Sequence, residues 1–140
     1  MAVLLDTNIL LRSVQPHHPP YAPATSAVAA LRTVAVQNLV EFWAVATRSP
    51  NDNGLGLSFS EAANELAVAK RLFQVLPESP QILPEWERLV LECQVTGKNA
   101  HDARLVAVMN LNKIKKILTF NIGDFKRFRE VQVLDPRSFG

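Results

Sequence analysis

Val3-Leu4-Leu5-Asp6-Thr7-Asn8-Ile9-Leu10-Leu11 is the stretch that decides the fold. An apolar run ends abruptly in a carboxylate and two small polar residues, then resumes at helical spacing. Short apolar runs bounded in this way, with a helix behind them, read as buried parallel strands entering helices. Asp6 then stands at the carboxyl end of the first strand, on the edge of an open α/β sheet where ligands bind. It also suits the N-cap of a short helix over residues 7–13.

Outward from this unit the pattern recurs. Pro16-His17-His18-Pro19-Pro20 is a stiff loop, residues 21–31 an Ala-rich helix, 33–36 a short buried strand and 38–48 a helix. Residues 49–57 (SPNDNGLGL) form a turn-rich loop, expected to be mobile. Ser58-x-x-Glu61 is a capping box opening an amphipathic helix, with Phe59, Ala62, Leu66, Ala69 and Phe73 on its apolar stripe. Val75-Leu76 marks another short strand. Pro84 opens a helix that buries Trp86, Leu89, Val90 and Cys93 and stops at Gly97. A helix over 99–111 and strands at 117–119 and 131–134 complete the chain. Strands alternating with helices call for a mainly parallel sheet of four or five short strands, covered on both faces, in a single α/β domain over residues 1–140.

The totals agree. The 140 residues suit one domain with a real core, and 48% hydrophobic with 20% charged residues is a globular composition. No apolar run approaches the roughly 20 residues that span a bilayer. Asp6 interrupts what a signal peptide would keep apolar, so a cytoplasmic protein with no membrane partner is expected. The lone Cys93 excludes an internal disulfide and a cysteine-based zinc cage. The net charge of +2 is uneven: residues 1–97 hold six Lys/Arg against nine Asp/Glu, and residues 98–140 hold nine against four. A basic C-terminal third beside an acidic pocket suits a polyanion, although a solvated basic surface gives the same count.

Asn38-x-x-Glu41, Asn99-x-x-Asp102 and Asn121-x-x-Asp124 each set a carboxylate three residues after an Asn. Each on its own reads as a helix-capping pair. Ser58-x-x-Glu61 has the same form and is read as a cap only, since a loop delivers the chain to it. Glu41, Asn121 and Asp124 instead follow strands and belong on the edge that carries Asp6, and Asp102 opens the helix leading into strand 117–119. Carboxylates pushed together raise one another's pKa, and a hard divalent cation, Mg²⁺ or Mn²⁺, compensates. Such a cation acidifies water and screens a phosphoryl group, which points to phosphodiester hydrolysis. Lys98, Arg104, Lys126, Arg127 and Arg129 would hold the phosphate backbone.

Taken together, VLLDTNIL at 3–10, NLVEFWAV at 38–45, HDARLVAVM at 101–109 and LTFNIGDF at 118–125 resemble the PIN-domain ribonucleases, and among them the VapC-type toxins of toxin–antitoxin pairs. The resemblance covers nearly the whole chain in the family's order. It implies a three-layer α/β/α sandwich, a Mg²⁺- or Mn²⁺-dependent endoribonuclease, a homodimer and a small antitoxin partner that folds onto the toxin. On it, Asp6, Glu41 and Asp102 match the principal acids and metal ligands, with Asn121 and Asp124 completing the catalytic set. Thr7, Asn8, Thr119 and His101 support them. Asn121 stands where many members have an acid, which favours one resident ion. Two rivals remain: a PIN-like module that binds RNA or protein without cutting it, and a haloacid-dehalogenase-type phosphatase. The second needs another acid two residues after the first, where this chain has Asn8.

Overall fold

Side chains alternate across each strand, and in this chain both faces are apolar. The computed structural model describes residues 2–138. Its strands are β1 (Val3–Leu5), β2 (Thr33–Ala35), β3 (Gln74–Leu76), β4 (Lys116–Leu118) and β5 (Gln132–Leu134). They pair in parallel in the order β3-β2-β1-β4-β5. The helices are α1 (Thr7–Arg12), α2 (Tyr21–Ala30), α3 (Val36–Ala46), α4 (Phe59–Leu72), α5 (Ile82–Glu92) and α6 (Asn99–Leu111), with short 3-10 turns at Pro50–Asp52, Ile122–Phe125 and Pro136–Ser138.

Alternation divides the buried residues into two cores. Leu4, Ala35 and Ile117 face Leu89 of α5, Leu105 and Met109 of α6, and Phe125 and Phe128. Val3, Leu5, Val34 and Leu118 face Ile9 of α1, Ala24 and Ala27 of α2, and Phe42 and Ala46 of α3. This is the expected α/β/α sandwich. Small residues let α6 lie close to the sheet: Ala103 and Ala107 are fully buried between larger neighbours.

Strand order decides where a ligand can sit. The chain runs from β1 outward to β3, returns to β4 on the other side of β1, and continues to β5. The adjacent carboxyl ends of β1 and β4 are therefore the topological switch point, where helices leave in opposite directions and a crevice opens.

Several local expectations are corrected. β2 ends at Ala35 and Val36 already belongs to α3, so Asn38 is the third residue of the helix and not its N-cap, although its Oδ1 reaches back to the Ala35 N–H. Phe59 is 75% exposed, standing edge-on to Trp43 at 5.7 Å between ring centres, and so does not lie on the buried stripe. Cys93, itself only partly buried, caps α5; Gln94 takes the left-handed turn after it at φ +52°, and Gly97 bends the chain into α6. The 49–57 loop is tied down. Leu55, Gly56 and Leu57 N–H groups donate to the carbonyls of Val45, Arg48 and Ala46, satisfying the end of α3. The strand expected at Val75-Leu76 forms as β3 and makes one edge of the sheet.

Candidate active site

β1 and β4 lie side by side, and the residues that end them meet. The Asp6 N–H donates to the Leu118 carbonyl, and the Asp6 side chain turns back to accept from the Thr7 N–H at 2.8 Å, capping α1. Its second oxygen accepts from the Thr119 hydroxyl at 2.8 Å. That hydroxyl can donate once and accept twice, and every valence is used: the Asn8 amide donates to it at 3.1 Å and the Asn121 N–H at 2.9 Å. Asn8 in turn accepts from the Phe120 N–H at 3.2 Å, closing β1 onto β4.

A second chain of the same kind supports Glu41. Buried Asn38 accepts from the Ala35 N–H at 2.8 Å and donates to the Thr7 hydroxyl at 3.1 Å. Thr7 then donates to Glu41 Oε1 at 2.7 Å. In both chains an Asn amide fixes a threonine hydroxyl, and the hydroxyl presents its proton to a carboxylate. The carboxylates are aimed before any ligand arrives.

At none of the three Asn-x-x-acid sites does the acid complete a cap, and only Asn38 bonds a helix-start N–H, that of Ala35. Glu41 bonds Thr7 and, at 3.3 Å, Gln37, while Asp102 accepts from the Asn99 side chain at 2.9 Å. Asn121 precedes the turn Ile122–Phe125 without capping it through its side chain. At Ser58–Glu61 both capping bonds form, at 2.9 and 3.1 Å.

Electrostatics tie four acids together. Asp6 is 8% exposed, and its pKa is pushed up to about 6, first by burial and then by Asp102 and Glu41, against the opposing bonds from Thr119 and Thr7. Asp102 is also raised, by burial and by Asp124 and Glu41, while Asn99 and Arg127 pull it down. Acids from β1, α3, α6 and the turn after β4 thus share one field.

Among the described residues, no three His, Cys, Asp or Glu side chains form a ready-made metal cage. A cation here would take one or two carboxylates and complete its shell with water and substrate phosphate, which is how Mg²⁺ is usually held. The donor chemistry fits such an ion: hard oxygen ligands, oriented in advance, with charge repulsion that a cation relieves.

The remaining candidates fall around this centre. His101 is exposed; its carbonyl accepts from the Gln37 amide at 2.8 Å, and its side chain lines a cleft of about 620 Å³ with Ile82, Trp86 and Arg104. Lys98, Lys126 and Arg127 are exposed at the starts of α6 and the end of the turn after β4. Arg104 is engaged already, donating to Gln37 at 3.0 Å and to Glu78 at 2.9 and 3.1 Å. Lys113, Lys115 and Lys116 sit where β4 begins, at the opposite end of the strand from the acids. The basic third is therefore two regions. Asn8 donates its amide to Thr119, so the position a phosphatase would fill with an acid carries a donor.

Sequence reasoning passed over Gln37 and gave Asn38 only a capping role. The signal for Gln37 was present: Gln and Glu at i and i+4 share a helix face.

A family model described as PIN domain matches residues 3–131. No curated protein sequence matches significantly. Among solved structures, the chain is similar to VapBC-1 from nontypeable Haemophilus influenzae, with a TM-score of 0.74 and 16% identity over 99% of this chain and 100% of that one. It is similar to VapBC2 from Rickettsia felis, bound to a DNA fragment from its promoter, at TM-score 0.70 and 17% identity over 96% and 98%. It is also similar to Mycobacterium tuberculosis VapC20, a Sarcin-Ricin loop cleaving toxin, at TM-score 0.61 and 16% identity over 83% and 87%.

Proposed function

The chain belongs to the PIN domain family, and from that premise we propose that it is a metal-dependent endoribonuclease, the toxin of a toxin–antitoxin pair. The observation that carries the reading is the coupling of Asp6, Glu41, Asp102 and Asp124 at the switch point between β1 and β4. Asp6 and Asp102, raised first by burial and then by neighbouring acids beside a sheet crevice, are what is expected where a cation and a phosphate are to be bound.

Asp6 and Asp102 would hold Mg²⁺ or Mn²⁺, with Glu41 beside them. Such a cation supplies charge screening at the phosphoryl oxygens and acidifies water. The chain's own residues do the rest. Thr119 and Thr7 hold Asp6 and Glu41 in fixed orientations, which removes reorganisation from the reaction. Glu41 or Asp124 accepts the proton of the attacking water. Lys98, Lys126 and Arg127 flank the crevice and bind the RNA backbone on either side of the scissile phosphate. Asn121 contributes an uncharged oxygen.

The solved relatives named for VapBC support an antitoxin as partner, and we place a basic side chain of that antitoxin against the acids, where it would compete with the cation. A homodimer and a cytoplasmic location belong to the same proposal; among the described residues no helix is long and apolar enough to cross a membrane.

The test is cleavage of single-stranded RNA with Mn²⁺ by the wild type and by Asp6→Asn. The proposal expects cleavage that stops with chelator and falls by at least about a hundredfold in the variant. Equal RNA loss from both proteins would identify a contaminant. Tight RNA binding without cleavage by the wild type would favour the binding-module reading.

A further inference from the structure

Gln37 sits on α3 one turn ahead of Glu41 and spans the crevice to α6. Its Nε2 donates to Glu41 Oε2 at 3.3 Å and to the His101 carbonyl at 2.8 Å. Its Oε1 accepts from Arg104 Nη1 at 3.0 Å, and Arg104 Nη2 is held by both oxygens of Glu78 at 2.9 and 3.1 Å. We propose that Gln37 is a positioning residue that locks Glu41 on α3 against Asp102 on α6, with Arg104 fixing which end of its amide faces the carboxylate.

An amide has one donor end and one acceptor end, and here the partners leave no choice between them. Glu41 and the His101 carbonyl both need a donor, while Arg104 needs an acceptor. Turning the amide over would oppose oxygen to oxygen twice and N–H to N–H once. Arg104 is thereby assigned to the support of Glu41 and not to the RNA backbone.

The arrangement also completes the hold on Glu41. Thr7 from α1 takes one carboxylate oxygen at 2.7 Å and Gln37 takes the other. Because His101 immediately precedes Asp102, the same amide pins the first turn of the helix that carries the next acid. Supporting partners of this kind orient metal-holding groups, and losing one typically costs about 10- to 100-fold in metal affinity or activity. The inference rests on the metal-dependent reading of the site proposed above.

Two variants test it on the full chain. Gln37→Met keeps the length of the side chain and removes its hydrogen bonds; Gln37→Leu removes them with a shorter side chain, and neither adds charge beside Glu41. Mn²⁺ binding is read from the free-ion electron paramagnetic resonance signal, alongside thermal melting and the kcat and KM for RNA cleavage. Both variants are expected to melt with the wild type and to bind Mn²⁺ roughly tenfold more weakly, with the loss in cleavage falling on kcat. Arg104→Met should reproduce the Mn²⁺ defect with Gln37 intact. Wild-type Mn²⁺ affinity in both Gln37 variants, whether or not they melt lower, while Asp6→Asn loses the ion, overturns the inference and leaves the metal reading standing. If Asp6→Asn also binds Mn²⁺ like the wild type, the metal reading falls first.

Discussion

Asp6 is held in its ionised geometry by two donors, yet burial and two neighbouring acids make ionisation costly. In the folded chain it keeps its proton up to about 6, against an ordinary 3.8. Between those values the folded state binds more protons than the unfolded one, so this group's contribution to stability is lost as pH rises through the window. The loss is about 3 kcal/mol once the group is fully ionised. Urea unfolding of metal-free protein should therefore show a fall in stability from pH 4 to 6.5 that Asp6→Asn largely lacks, and Mn²⁺ should restore the wild type at pH 7. Parallel pH profiles for the two proteins would show that Asp6 is not the group responsible. At Thr119, replacement by Val strands the Asn8 amide and the Asn121 N–H as well as Asp6. A cost of about 1–3 kcal/mol is expected in the same assay, with cleavage reduced further than stability explains. Asp6, Glu41 and Asp124 were legible in the sequence because they follow strands, and Asp102 because its helix leads into one. Gln37 and Asn38 were not, because their partners, His101, Arg104 and Thr7, lie far along the chain and only the fold brings them near.

Elements were legible where periodicity and turn chemistry agreed. The capping box at Ser58–Glu61 forms as expected, and so does the helix behind it. The helix after β2 starts two residues early because Val36 joins the helix instead of the strand, and that shift moves Asn38 from the N-cap to the third position, where it is buried and links the Ala35 N–H to Thr7. The 49–57 loop is the other difference. Its Gly and Asn content signals turns, but composition says nothing about the carbonyls at the end of α3 that its backbone satisfies. Gly54 is the tight point, since a Cβ there would lie 2.0 Å from the Arg48 carbonyl oxygen. Gly54→Ala should lower stability by about 1–3 kcal/mol in chemical denaturation while leaving Mn²⁺ affinity unchanged. Wild-type stability in that variant would mean the loop is free to move after all. Elsewhere, Arg88 joins Glu85 and Glu92 of α5 to Glu130 before β5, at 2.7 to 2.8 Å. These pairs are part-exposed, so their worth is small and their role is to seat α5 against the C-terminal loop.

At the scale of the whole molecule, parallel strands alternating with helices were enough to expect a sheet covered on both faces. Strand order was not readable, because three-residue strands carry no information about their neighbours. That order matters most: β4 returning beside β1 creates the crevice, and Asp6, Glu41, Asp102 and Asp124 reach it from separate elements. The charge asymmetry of the chain was a weaker guide, since the three lysines at the start of β4 lie at its far end, while Arg127 acts on Asp102 and Arg104 is bonded to Gln37 beside Glu41. The most direct measurement is the stoichiometry of Mn²⁺ binding at pH 7 for the wild type, Asp6→Asn, Asp102→Asn and, as a remote control, Asp52→Asn. One ion per chain is expected in the wild type and in Asp52→Asn, and none at the same concentrations in the other two. An ion retained by both Asp6→Asn and Asp102→Asn would contradict it.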